Sequence, residues 1–405
     1  MNIKIMRYID YWLGSPLCFL LSGYNWFLKK ISFPGKKDRV PERILFIKLS
    51  EMGAIILAYP LLRFIKKQYP CSELFFLTFK DNRDIFKLLD GIIADKNILT
   101  INDRRPGAFI LDTLKAIIRL RRKKINIIFD LEFFSRFSMI LAYLINSDKR
   151  VGFFRYSFEG LYRGSLLTHK IQYNPLSHVT RNYLSMAQAI TKKDKNTPGL
   201  DTQIEEGQIA FPAYKSKGDV KERISRKLNE LGISKHHRVF LINPGEGILP
   251  LREWPLSNFI ILCQLLLEND NNFVVLAGNW GALGKGEILI KKINNPRCVS
   301  LIGQTSLEEL AELFESSHCL ITNDCGLAHL AMLTSIKKFV IFGPESPQVF
   351  APLGANNCVI YSEWPCSPCL SVFNHRKSAC RDNKCLKNIK PDDIYTLIKE
   401  SLPTN

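Results

Sequence analysis

RILFIKL at residues 43–49 opens the stretch of sequence that decides the fold. Similar apolar runs follow at ELFFLTF (73–79), 98–101 and INIIFDL (125–131). Each run has the length and composition of a buried strand. Helical patterns separate these runs and are predicted at Gly53–Tyr69, Asn82–Leu89 and Phe109–Arg121. Strands that alternate with helices in this way predict a parallel sheet covered on both faces.

The same alternation restarts in the second half of the chain. Strands are predicted at Arg238–Asn243, Asn272–Ala277, Val299–Ile302, Cys319–Thr322 and Lys338–Phe342, and helices at Leu256–Glu268, Leu283–Ile293, Ser306–Glu315 and Leu327–Thr334. The polar stretch 191–218 is the predicted linker, and Pro391 begins a closing helix within 391–405. The expected fold class is therefore α/β, with two Rossmann-like doubly wound domains at 41–190 and 219–390. Such a pair binds ligands in a cleft at the carboxyl ends of the strands.

The charge is distributed unevenly along the 405 residues. Residues 1–200 hold 34 Lys+Arg against 16 Asp+Glu, so they carry the whole net charge of +18. A basic half of this kind indicates an anionic partner, which is a nucleic acid, a lipid surface or a phosphorylated substrate. The basic residues are scattered, and we find no zinc-finger, homeodomain or RNP-type pattern. We therefore expect no nucleic acid partner, and keep a nucleic-acid-binding protein as a rival interpretation.

The N-terminal segment 1–40 contains an aromatic run from Tyr8 to Leu28 with basic residues on both sides. Gly14-Ser15-Pro16 and Ser22-Gly23 interrupt this run, and Asp10 lies inside it, which argues against a membrane-spanning helix. A signal peptide would show a small-residue cleavage site, and none follows the run. We predict a segment that lies in the interface of a membrane. The alternative is a hydrophobic arm that packs on the protein's own domain.

Three motifs fall at junctions between a predicted strand and a helix. They are KLSEMGA at 48–54, NPGEG at 243–247 followed by REWP at 252–255, and TNDCGLAH at 322–329 followed by FGPE at 342–345. Glycine-rich turns at the start of a helix can hold a diphosphate through backbone N–H groups. The motifs match neither a Walker loop nor G-x-G-x-x-G, so each by itself is equally compatible with a structural turn.

In this order, the motifs resemble the heptosyltransferase-type glycosyltransferases of family 9. RVGF at 150–153 and the cysteine-rich run at 365–386 fit as well, and the resemblance covers Arg43 to Ser401. It implies the GT-B fold and inverting sugar transfer without a catalytic metal or other cofactor. It also implies a nucleotide-diphosphate sugar donor, mostly ADP-heptose, and an anionic glycolipid acceptor of the lipopolysaccharide core. The expected location is the cytoplasmic face of the inner membrane, as a peripheral protein.

The resemblance carries the donor residues over position by position. Asp324, Gly326 and His329 match the D-x-G-x-x-H pattern of the family. Arg252 takes the place of a basic residue that pairs with the leaving diphosphate, for which its forked guanidinium is suited. The remaining expected donor contacts are Gly245, Gly247 and Gly343 in the turns and Glu287, which is expected at the ribose hydroxyls.

The opening motif departs from the family at its proposed catalytic base. The family motif ends in Gly-Asp, whereas this chain has Gly53 followed by Ala54. An inverting displacement needs a group that takes the proton of the acceptor hydroxyl. We expect Glu51 to replace the missing base, with Asp130 and Glu132 as second choices. We also expect these two carboxylates, together with Lys48 and Arg136, to contact the acceptor. The alternative is a non-catalytic relative that binds a nucleotide sugar or glycolipid.

Four of the eleven cysteines cluster near the C-terminus, at Cys366, Cys369, Cys380 and Cys385. Their spacing is typical of a zinc site at one end only. A structural zinc site, with His375 as a possible substitute ligand, is one alternative. We expect free thiols and no metal.

Overall fold

The computed structural model describes residues 3–31, 40–156, 161–190, 204–245 and 249–401. The chain divides into two compact units, unit 1 at Met1–Ala210 and unit 2 at Phe211–Asn405. Residues 191–203 of the predicted linker lie outside the described residues, and its remainder contains one short 3₁₀ turn at Glu206–Gln208.

Unit 1 alternates strands and helices after two N-terminal helices. The helices are α1 (Ile3–Trp12), α2 (Gly14–Ile31), α3 (Met52–Leu57), α4 (Tyr59–Gln68), α5 (Pro106–Arg122), α6 (Arg136–Ile145) and α7 (Val179–Ala189). The strands are β1 (Arg43–Ile47), β2 (Glu73–Phe79), β3 (Ile98–Ile101), β4 (Ile127–Asp130), β5 (Lys149–Phe153) and β6 (His169–Ile171).

The strands of unit 1 form one parallel sheet in the order β3-β2-β1-β4-β5-β6. In its register, Ile44 lies opposite Leu74 on one side and Ile127 on the other. The central strands β1 and β4 are apolar except for Arg43 at the start of β1 and Asp130 at the end of β4, because helices cover both faces of the sheet. The strand order reverses between β1 and β4, which is the switch point where doubly wound sheets bind ligands.

Unit 2 repeats this architecture. Its strands are β7 (Arg238–Asn243), β8 (Asn272–Leu276), β9 (Cys298–Ser300), β10 (Cys319–Asn323), β11 (Lys337–Phe342) and β12 (Asn357–Tyr361). Its helices are α8 (Gly218–Glu230), α9 (Leu256–Leu267), α10 (Leu283–Ile293), α11 (Leu307–Glu315), α12 (Gly326–Leu330), α13 (Pro347–Phe350), α14 (Lys384–Lys387) and α15 (Pro391–Ser401). The order β12-β11-β10-β7-β8-β9 is that of unit 1, with the switch point between β7 and β10.

The α/β fold class and the closing helix Pro391–Ser401 are confirmed, and the differences from the predictions are local. The helix predicted at Gly53–Tyr69 is two helices that meet at Ala58, since Pro60 favours a helix start rather than a helix interior. A 3₁₀ helix at Lys80–Leu88 replaces the one predicted at Asn82–Leu89.

Of the two interruptions predicted in the N-terminal segment, the first separates two helices and the second is wrong. Gly14 begins α2, and Ser22 and Gly23 lie within that helix without breaking it. The hydroxyl of Ser22 donates to the carbonyl of Cys18 at 2.6 Å, which keeps the serine within the helical hydrogen-bond pattern. We call α1 and α2 together the N-terminal hairpin.

The N-terminal hairpin packs on unit 1 through small and polar residues. A Cβ on Gly14 would lie 2.8 Å from the Cβ of Arg136, so only glycine permits this approach to α6. The hydroxyl of Ser22 accepts a hydrogen bond from the backbone N–H of Ser165 at 2.8 Å. Leu21 packs against the core cluster that α5 and α6 form with the sheet. The hairpin therefore lies on the same face of the sheet as α5 and α6.

Candidate functional site

The switch point of unit 1 is held together by Glu132, which follows β4. Its carboxylate accepts hydrogen bonds from the backbone N–H groups of Leu49 at 2.7 Å and Ser50 at 3.1 Å, and from Lys48 Nζ at 2.9 Å. Lys48 and Glu132 are only 1% and 8% exposed. These two predicted acceptor residues are thus engaged with each other, and their bonds hold the loop that follows β1.

Asp130, another predicted acceptor residue, ends β4 and is fully buried. It forms an ion pair with Arg163 and accepts a hydrogen bond from the Ser138 hydroxyl at 3.0 Å. Burial raises the pKa of the Asp130 carboxyl, and the nearby Arg163 guanidinium opposes this rise. Arg163 also donates to the backbone carbonyl of Glu132 at 3.2 Å. Arg163 lies outside every sequence motif, and no pattern in the sequence pointed to it.

Arg136, the fourth predicted acceptor residue, is directed at the N-terminal hairpin. The carboxylate of Asp10 accepts from the backbone N–H groups of Arg136 at 3.0 Å and Phe137 at 2.8 Å, and from the Arg136 guanidinium at 3.2 Å. Asp10 therefore supplies a carboxylate at the N-terminus of α6, where the helix dipole favours negative charge. Arg136 is 2% exposed.

Glu51, the predicted base, differs from these four residues because it is partly exposed. It precedes α3 and has a φ of 66°, a left-handed backbone conformation that a residue with a side chain rarely adopts. Such conformations typically cost about 1–3 kcal/mol and concentrate at functional sites. Ala54 follows within α3, and its N–H donates to the carbonyl of Glu51 at 2.9 Å.

Unit 1 also contains a basic cavity that the sequence analysis missed. It has a volume of about 420 Å³ and lies where β2 and β3 end and α5 begins, lined by Lys80, Asp81, Asn102, Arg104, Arg105 and Ala108. Asp81 accepts from the guanidinium of Arg104 at 2.9 Å. Three cations against one carboxylate make this cavity suited to an anion. We call it the basic cavity.

At the switch point of unit 2, two asparagines join the strand ends. Asn323 accepts a hydrogen bond from the N–H of Trp254 at 2.9 Å and directs its amide nitrogen to the carbonyls of Pro244 and Gly245. Asn243 accepts from the N–H of Gly245 at 3.1 Å. The described residues of the predicted donor motifs, at 243–245, 252–255 and 322–329, therefore meet at one edge of the sheet.

Arg252 and Asp324 are brought together within this network. The guanidinium of Arg252 lies 3.2 Å from the carboxylate of Asp324, and their side chains are 13% and 5% exposed. An arginine carries five N–H donors, so one guanidinium can contact a carboxylate and a further anion at the same time. Gly326 begins α12, which has five residues, and His329 lies in that helix with 7% of its surface exposed.

The remaining predicted donor residues lie in different environments. A Cβ on Gly245 would lie 3.0 Å from the Cβ of Ala282, so this glycine permits close packing against the segment after β8. A Cβ on Gly343 would lie 2.5 Å from Leu386, so this glycine accommodates α14. Glu287 is exposed on α10, and Gly247 lies outside the described residues.

Comparison with known proteins identifies the family. The family model described as glycosyltransferase family 9 (heptosyltransferase) matches residues 114–379, which is more than half of the chain. The chain belongs to glycosyltransferase family 9. This protein is therefore a glycosyltransferase, as predicted.

Individual relatives of the family 9 enzyme are distant but extend over most of the chain. A lipopolysaccharide heptosyltransferase 1 of Campylobacter coli is 23% identical over 88% of this chain and 98% of its own length. The solved structure of ADP-heptose lipopolysaccharide heptosyltransferase II of Escherichia coli is 19% identical, with a TM-score of 0.65 over 89% of this chain and 99% of that one. A second E. coli heptosyltransferase, solved with ADP, has a TM-score of 0.60 at 14% identity over 88% of this chain and 99% of that one. These likenesses confirm the predicted GT-B fold.

Trp280 is a residue of the family 9 enzyme that sequence reasoning missed. It follows β8 and is 71% exposed, while its ring lies against Gly303, where a Cβ would come within 2.8 Å of the ring. The N–H of Gly303 donates to the carbonyl of Gly278 at 2.9 Å, and a Cβ on Gly278 would lie 3.0 Å from Asn243 Oδ1. A flat aromatic surface therefore lies beside the donor motifs. A tryptophan four residues after the end of β8 was the available signal.

Three residues of the cysteine cluster of the family 9 enzyme lie in the irregular segment before α14, and Cys385 lies in that helix. The hydroxyl of Ser378 contacts Cys369 Sγ at 3.4 Å and accepts from the N–H of Cys380 at 3.1 Å. Burial raises the pKa of Cys385 to about 11, and the other three cysteines add to this rise. Within the described ranges, no group of three or more His, Cys, Asp or Glu residues is arranged to hold a metal ion. The expectation of free thiols without a metal stays a prediction.

The outward side of the N-terminal hairpin carries its large apolar residues. The side that faces unit 1 has Gly14, Cys18, Ser22 and Asn25, whereas the exposed side has Ile5, Tyr8, Ile9, Tyr11, Trp12, Leu17, Phe19, Leu20, Tyr24, Trp26, Phe27 and Leu28. In the part of the chain that the structure describes, we find no helix with the length and apolar content needed to cross a bilayer. The usual pattern, with the apolar side of a helix on the protein, is thus reversed.

Proposed function

We propose that this family 9 glycosyltransferase transfers heptose from ADP-heptose, with inversion and without a catalytic metal, to a glycolipid acceptor of the lipopolysaccharide-core type. The reaction takes place on the cytoplasmic face of the inner membrane, where the enzyme is peripheral. The observation that carries the proposal is the convergence of the donor motifs at the switch point of unit 2, with Arg252 oriented by Asp324. The relatives named for heptose transfer and for ADP support the choice of donor.

In this proposal the leaving diphosphate binds to Arg252. Asp324 is a carboxylate and would repel a diphosphate at short range, so its contact with Arg252 serves to hold the guanidinium in place. The N–H groups of Arg252 that do not face Asp324 then bind phosphate oxygens. Charge that develops on the diphosphate in the transition state is stabilised there.

The chemical step is a single displacement at the anomeric carbon. The acceptor oxygen forms a bond to this carbon from the face opposite ADP, and the bond between the carbon and the diphosphate oxygen breaks. The electron pair of the broken bond leaves with ADP. The proton of the acceptor hydroxyl passes to the carboxylate of Glu51, which acts as general base.

Glu51 suits this role because it is the partly exposed carboxylate at the switch point of unit 1. Asp130 and Glu132, the second choices, are below a tenth exposed and are bonded to Arg163 and Lys48. Their burial favours a role in positioning the loop of Glu51, and the burial of Lys48 and Arg136 favours the same role. The acceptor contacts predicted for these four residues are not supported by the contacts they make.

The basic cavity is the better candidate for the anionic groups of the acceptor. Lys80, Arg104 and Arg105 are exposed, and they lie at the carboxyl edge of the same sheet that carries Glu51. Phosphates and acidic sugars of a glycolipid would bind these cations through charge-assisted hydrogen bonds. This cavity accounts for part of the excess positive charge in the first half of the chain.

The nucleobase of the donor stacks on Trp280 in this proposal. One face of the indole is backed by Gly303, and the 71% exposed side chain leaves the other face accessible. Base-aromatic stacking is typically worth about 1–3 kcal/mol. Every base has an aromatic face, so this contact adds affinity without selecting adenine.

The N-terminal hairpin holds the enzyme on the membrane that contains the acceptor. Its aromatic side chains would lie at headgroup depth, and cations such as Lys30, which lies 3.9 Å from the centre of the Trp26 ring, would face anionic lipid. The hairpin is also docked on unit 1 through Asp10 and Ser22. The docking contacts support the arm interpretation for the inner side, and the exposed aromatic side chains support the membrane interpretation for the outer side.

Transfer by purified enzyme tests the proposed function. ADP-heptose and a core glycolipid that lacks the terminal heptose are incubated with the enzyme, and mass spectrometry and proton NMR identify the product. We expect one added heptose with inverted anomeric configuration, unchanged by a chelator. ADP-heptose binding without transfer would overturn the catalytic proposal in favour of the non-catalytic relative. Transfer of another sugar would overturn the choice of donor.

Substitution of the outward aromatic residues tests the membrane proposal better than deletion of the segment. Deleting residues 1–35 would remove Asp10 from the N-terminus of α6 and uncover the core beside Leu21. Exchanging Phe19 and Trp26 for serine leaves those contacts intact. We expect weaker binding to phosphatidylglycerol vesicles with ADP affinity unchanged, and unaltered vesicle binding would rule out the membrane proposal.

A further inference from the structure

The helix α5 exposes an apolar stripe of its own, separate from the N-terminal hairpin. Its inner side carries Ala116 and Leu120, which belong to the core cluster of unit 1. Its outer side carries Ile110, Leu111, Leu114 and Ile118, which are 58%, 57%, 51% and 50% exposed. These four residues recur at the spacing of one helix face. Half of the surface of each large apolar side chain is therefore left in water.

Cations border this stripe along one side. Lys115, Arg119 and Arg122 are exposed. Each lies one residue or one helical turn after a residue of the stripe, so the three cations line one side of it. Arg121, Lys123 and Lys124 add three more exposed cations at the C-terminal end. An exposed apolar stripe with a cationic border is the pattern of helices that lie in the interface of an anionic membrane.

The stripe lies on the same face of the sheet as the N-terminal hairpin. α6 packs against both α5 and α2, and Phe109 of α5 stacks against Phe137 of α6 with ring centres 5.1 Å apart. α5, α6 and Leu21 of α2 all contribute to one core cluster. The two exposed apolar surfaces are thus parts of one side of unit 1.

A helix elsewhere in unit 1 shows what an ordinary solvent surface looks like in this protein. α4 buries Tyr59, Leu61, Leu62 and Ile65, and it exposes Arg63, Lys66, Lys67 and Gln68. Its periodicity is that of a surface helix on a soluble protein. α5 belongs to the same unit as α4, yet it exposes four large apolar residues. We therefore expect its outer side to contact a partner.

We propose that α5 is a second membrane-docking element, which lies in the headgroup region of an anionic bilayer together with the N-terminal hairpin. This inference rests on the proposed function only in that the acceptor is a membrane glycolipid. The basic cavity begins where α5 begins, so a bilayer at α5 would bring anionic headgroups next to Lys80, Arg104 and Arg105.

The cationic border favours lipid over a second copy of the chain as the occupant. Two copies that met through α5 would bring like-charged borders close together, and this repulsion costs free energy. Anionic lipid neutralises the same cations and buries the same apolar side chains. A membrane also covers the hairpin and α5 at once.

Vesicle binding by full-length variants tests this proposal. Leu114→Gln/Ile118→Gln replaces two exposed side chains by a good helix former, so the fold of α5 is retained. The matched control is Ile261→Gln/Ile288→Gln, which changes two exposed isoleucines of unit 2. Dissociation constants are measured for vesicles of phosphatidylcholine with and without phosphatidylglycerol, and ADP binding is titrated in parallel.

We expect the α5 variant to bind phosphatidylglycerol vesicles about tenfold more weakly than the wild type, with the control variant and all ADP affinities unchanged. A second variant, Lys115→Gln/Arg119→Gln, should bind vesicles about fivefold more weakly for each removed charge. This loss of affinity should occur only on vesicles that contain phosphatidylglycerol.

The outcomes separate this inference from the proposals on which it rests. Unchanged vesicle binding by the α5 variants, with loss in the hairpin variant Phe19→Ser/Trp26→Ser, would overturn the role of α5 and leave the hairpin proposal standing. Absence of vesicle binding by the wild type would overturn both membrane roles, while sugar transfer in solution is judged by its own assay. A wild-type dimer that Leu114→Gln/Ile118→Gln makes monomeric in sedimentation would identify α5 as a subunit interface and overturn the lipid assignment.

Discussion

Unit 1 and unit 2 have the same strand order, yet their surfaces differ strongly. The described part of unit 2 exposes four scattered large apolar side chains, at Ile261, Trp280, Ile288 and Val359, whereas unit 1 exposes continuous apolar surfaces on the hairpin and α5. The first 200 residues also carry the entire net charge of +18. One architecture thus supports two surfaces, because the buried strands determine the fold and the exposed residues determine the partner.

The two switch points differ as well. In unit 1, buried charged groups are paired with each other, as in Asp130 with Arg163 and Lys48 with Glu132. In unit 2, the amides of Asn243 and Asn323 join the loops, and Arg252 and Asp324 form the ion pair beside them. In the proposed function, unit 1 supplies the partly exposed carboxylate of Glu51 as the base, and unit 2 supplies the cation of Arg252 for the leaving diphosphate. The following variants test this division of roles.

The largest effect is expected for the carboxylate of unit 1. Glu51→Gln should slow sugar transfer by about 10²–10⁴-fold with donor affinity nearly unchanged, because loss of a general base affects the chemical step. Single-turnover rates and ADP titration measure the two quantities. The control is Glu42→Gln, at a side chain that is 74% exposed. Near-full turnover by Glu51→Gln would move the search for the base to Asp130 and Glu132, and partial rescue by Ala54→Asp would support the site.

The cation of unit 2 should affect binding more than any other donor residue. Arg252→Ala removes charge-assisted hydrogen bonds of about 1.5–3 kcal/mol, so we expect ADP to bind roughly 10–100-fold more weakly. Arg223→Ala is the matched control, since Arg223 is a surface arginine of unit 2 that is also ion-paired. Calorimetric titration of ADP on both variants checks this. Equal ADP affinities for Arg252→Ala and the wild type would refute the assignment of the diphosphate to unit 2.

A smaller effect is expected at Trp280. Trp280→Ala should weaken ADP binding about tenfold through the lost stacking contact, whereas Trp280→Phe should retain most of the affinity. A base-free ligand, ribose 5-diphosphate, should bind the variant and the wild type equally. Trp26→Ala, which changes an exposed tryptophan of unit 1, serves as the control. An equal loss for both ligands would show that Trp280 acts on the diphosphate pocket and not on the nucleobase.

The smallest expected effect concerns a buried lysine in each unit. Lys48 is paired with Glu132, whereas Lys338 of β11 donates to the backbone carbonyls of Ile336 and Asn356. Burial lowers the pKa of Lys338 from 10.5 to about 8. Between pH 8 and 10.5 the unfolded chain binds more protons than the folded chain, so the free energy of unfolding rises with pH. This contribution is lost again as the pH falls toward and through 8.

Urea unfolding of wild type and Lys338→Met measures this difference. We expect Lys338 to contribute about 1 kcal/mol to the rise in unfolding free energy of the wild type between pH 8.5 and 9.5, and Lys338→Met to lack that part. The same rise in both proteins would show that another group titrates. The matching exchange Lys48→Met should instead destabilise the fold at every pH in this range, since it leaves Glu132 buried without its cation.

Much of the fold could be predicted from the sequence because buried parallel strands are short apolar runs. The central strands of both sheets and the closing helix Pro391–Ser401 were predicted within a few residues. The strands β5, β6 and β12 were missed because all three begin with charged or polar residues. In addition, β6 and β12 lie at a sheet edge. The split between α3 and α4 was missed although Pro60 was an available signal, since proline favours a helix start over a helix interior.

The sequence by itself determined the α/β class, the two-domain organisation and the family motifs, since each of these depends on residue type and order. Tertiary structure decided which charged residues are accessible. Lys48, Asp130, Glu132 and Arg136 read as binding residues in the sequence, and folding buries them against each other, Arg163 and Asp10. It also decided that the apolar sides of the hairpin and α5 face outward. Periodicity shows that a helix has two sides, and only the packing of the helix on its neighbours selects the side that meets water.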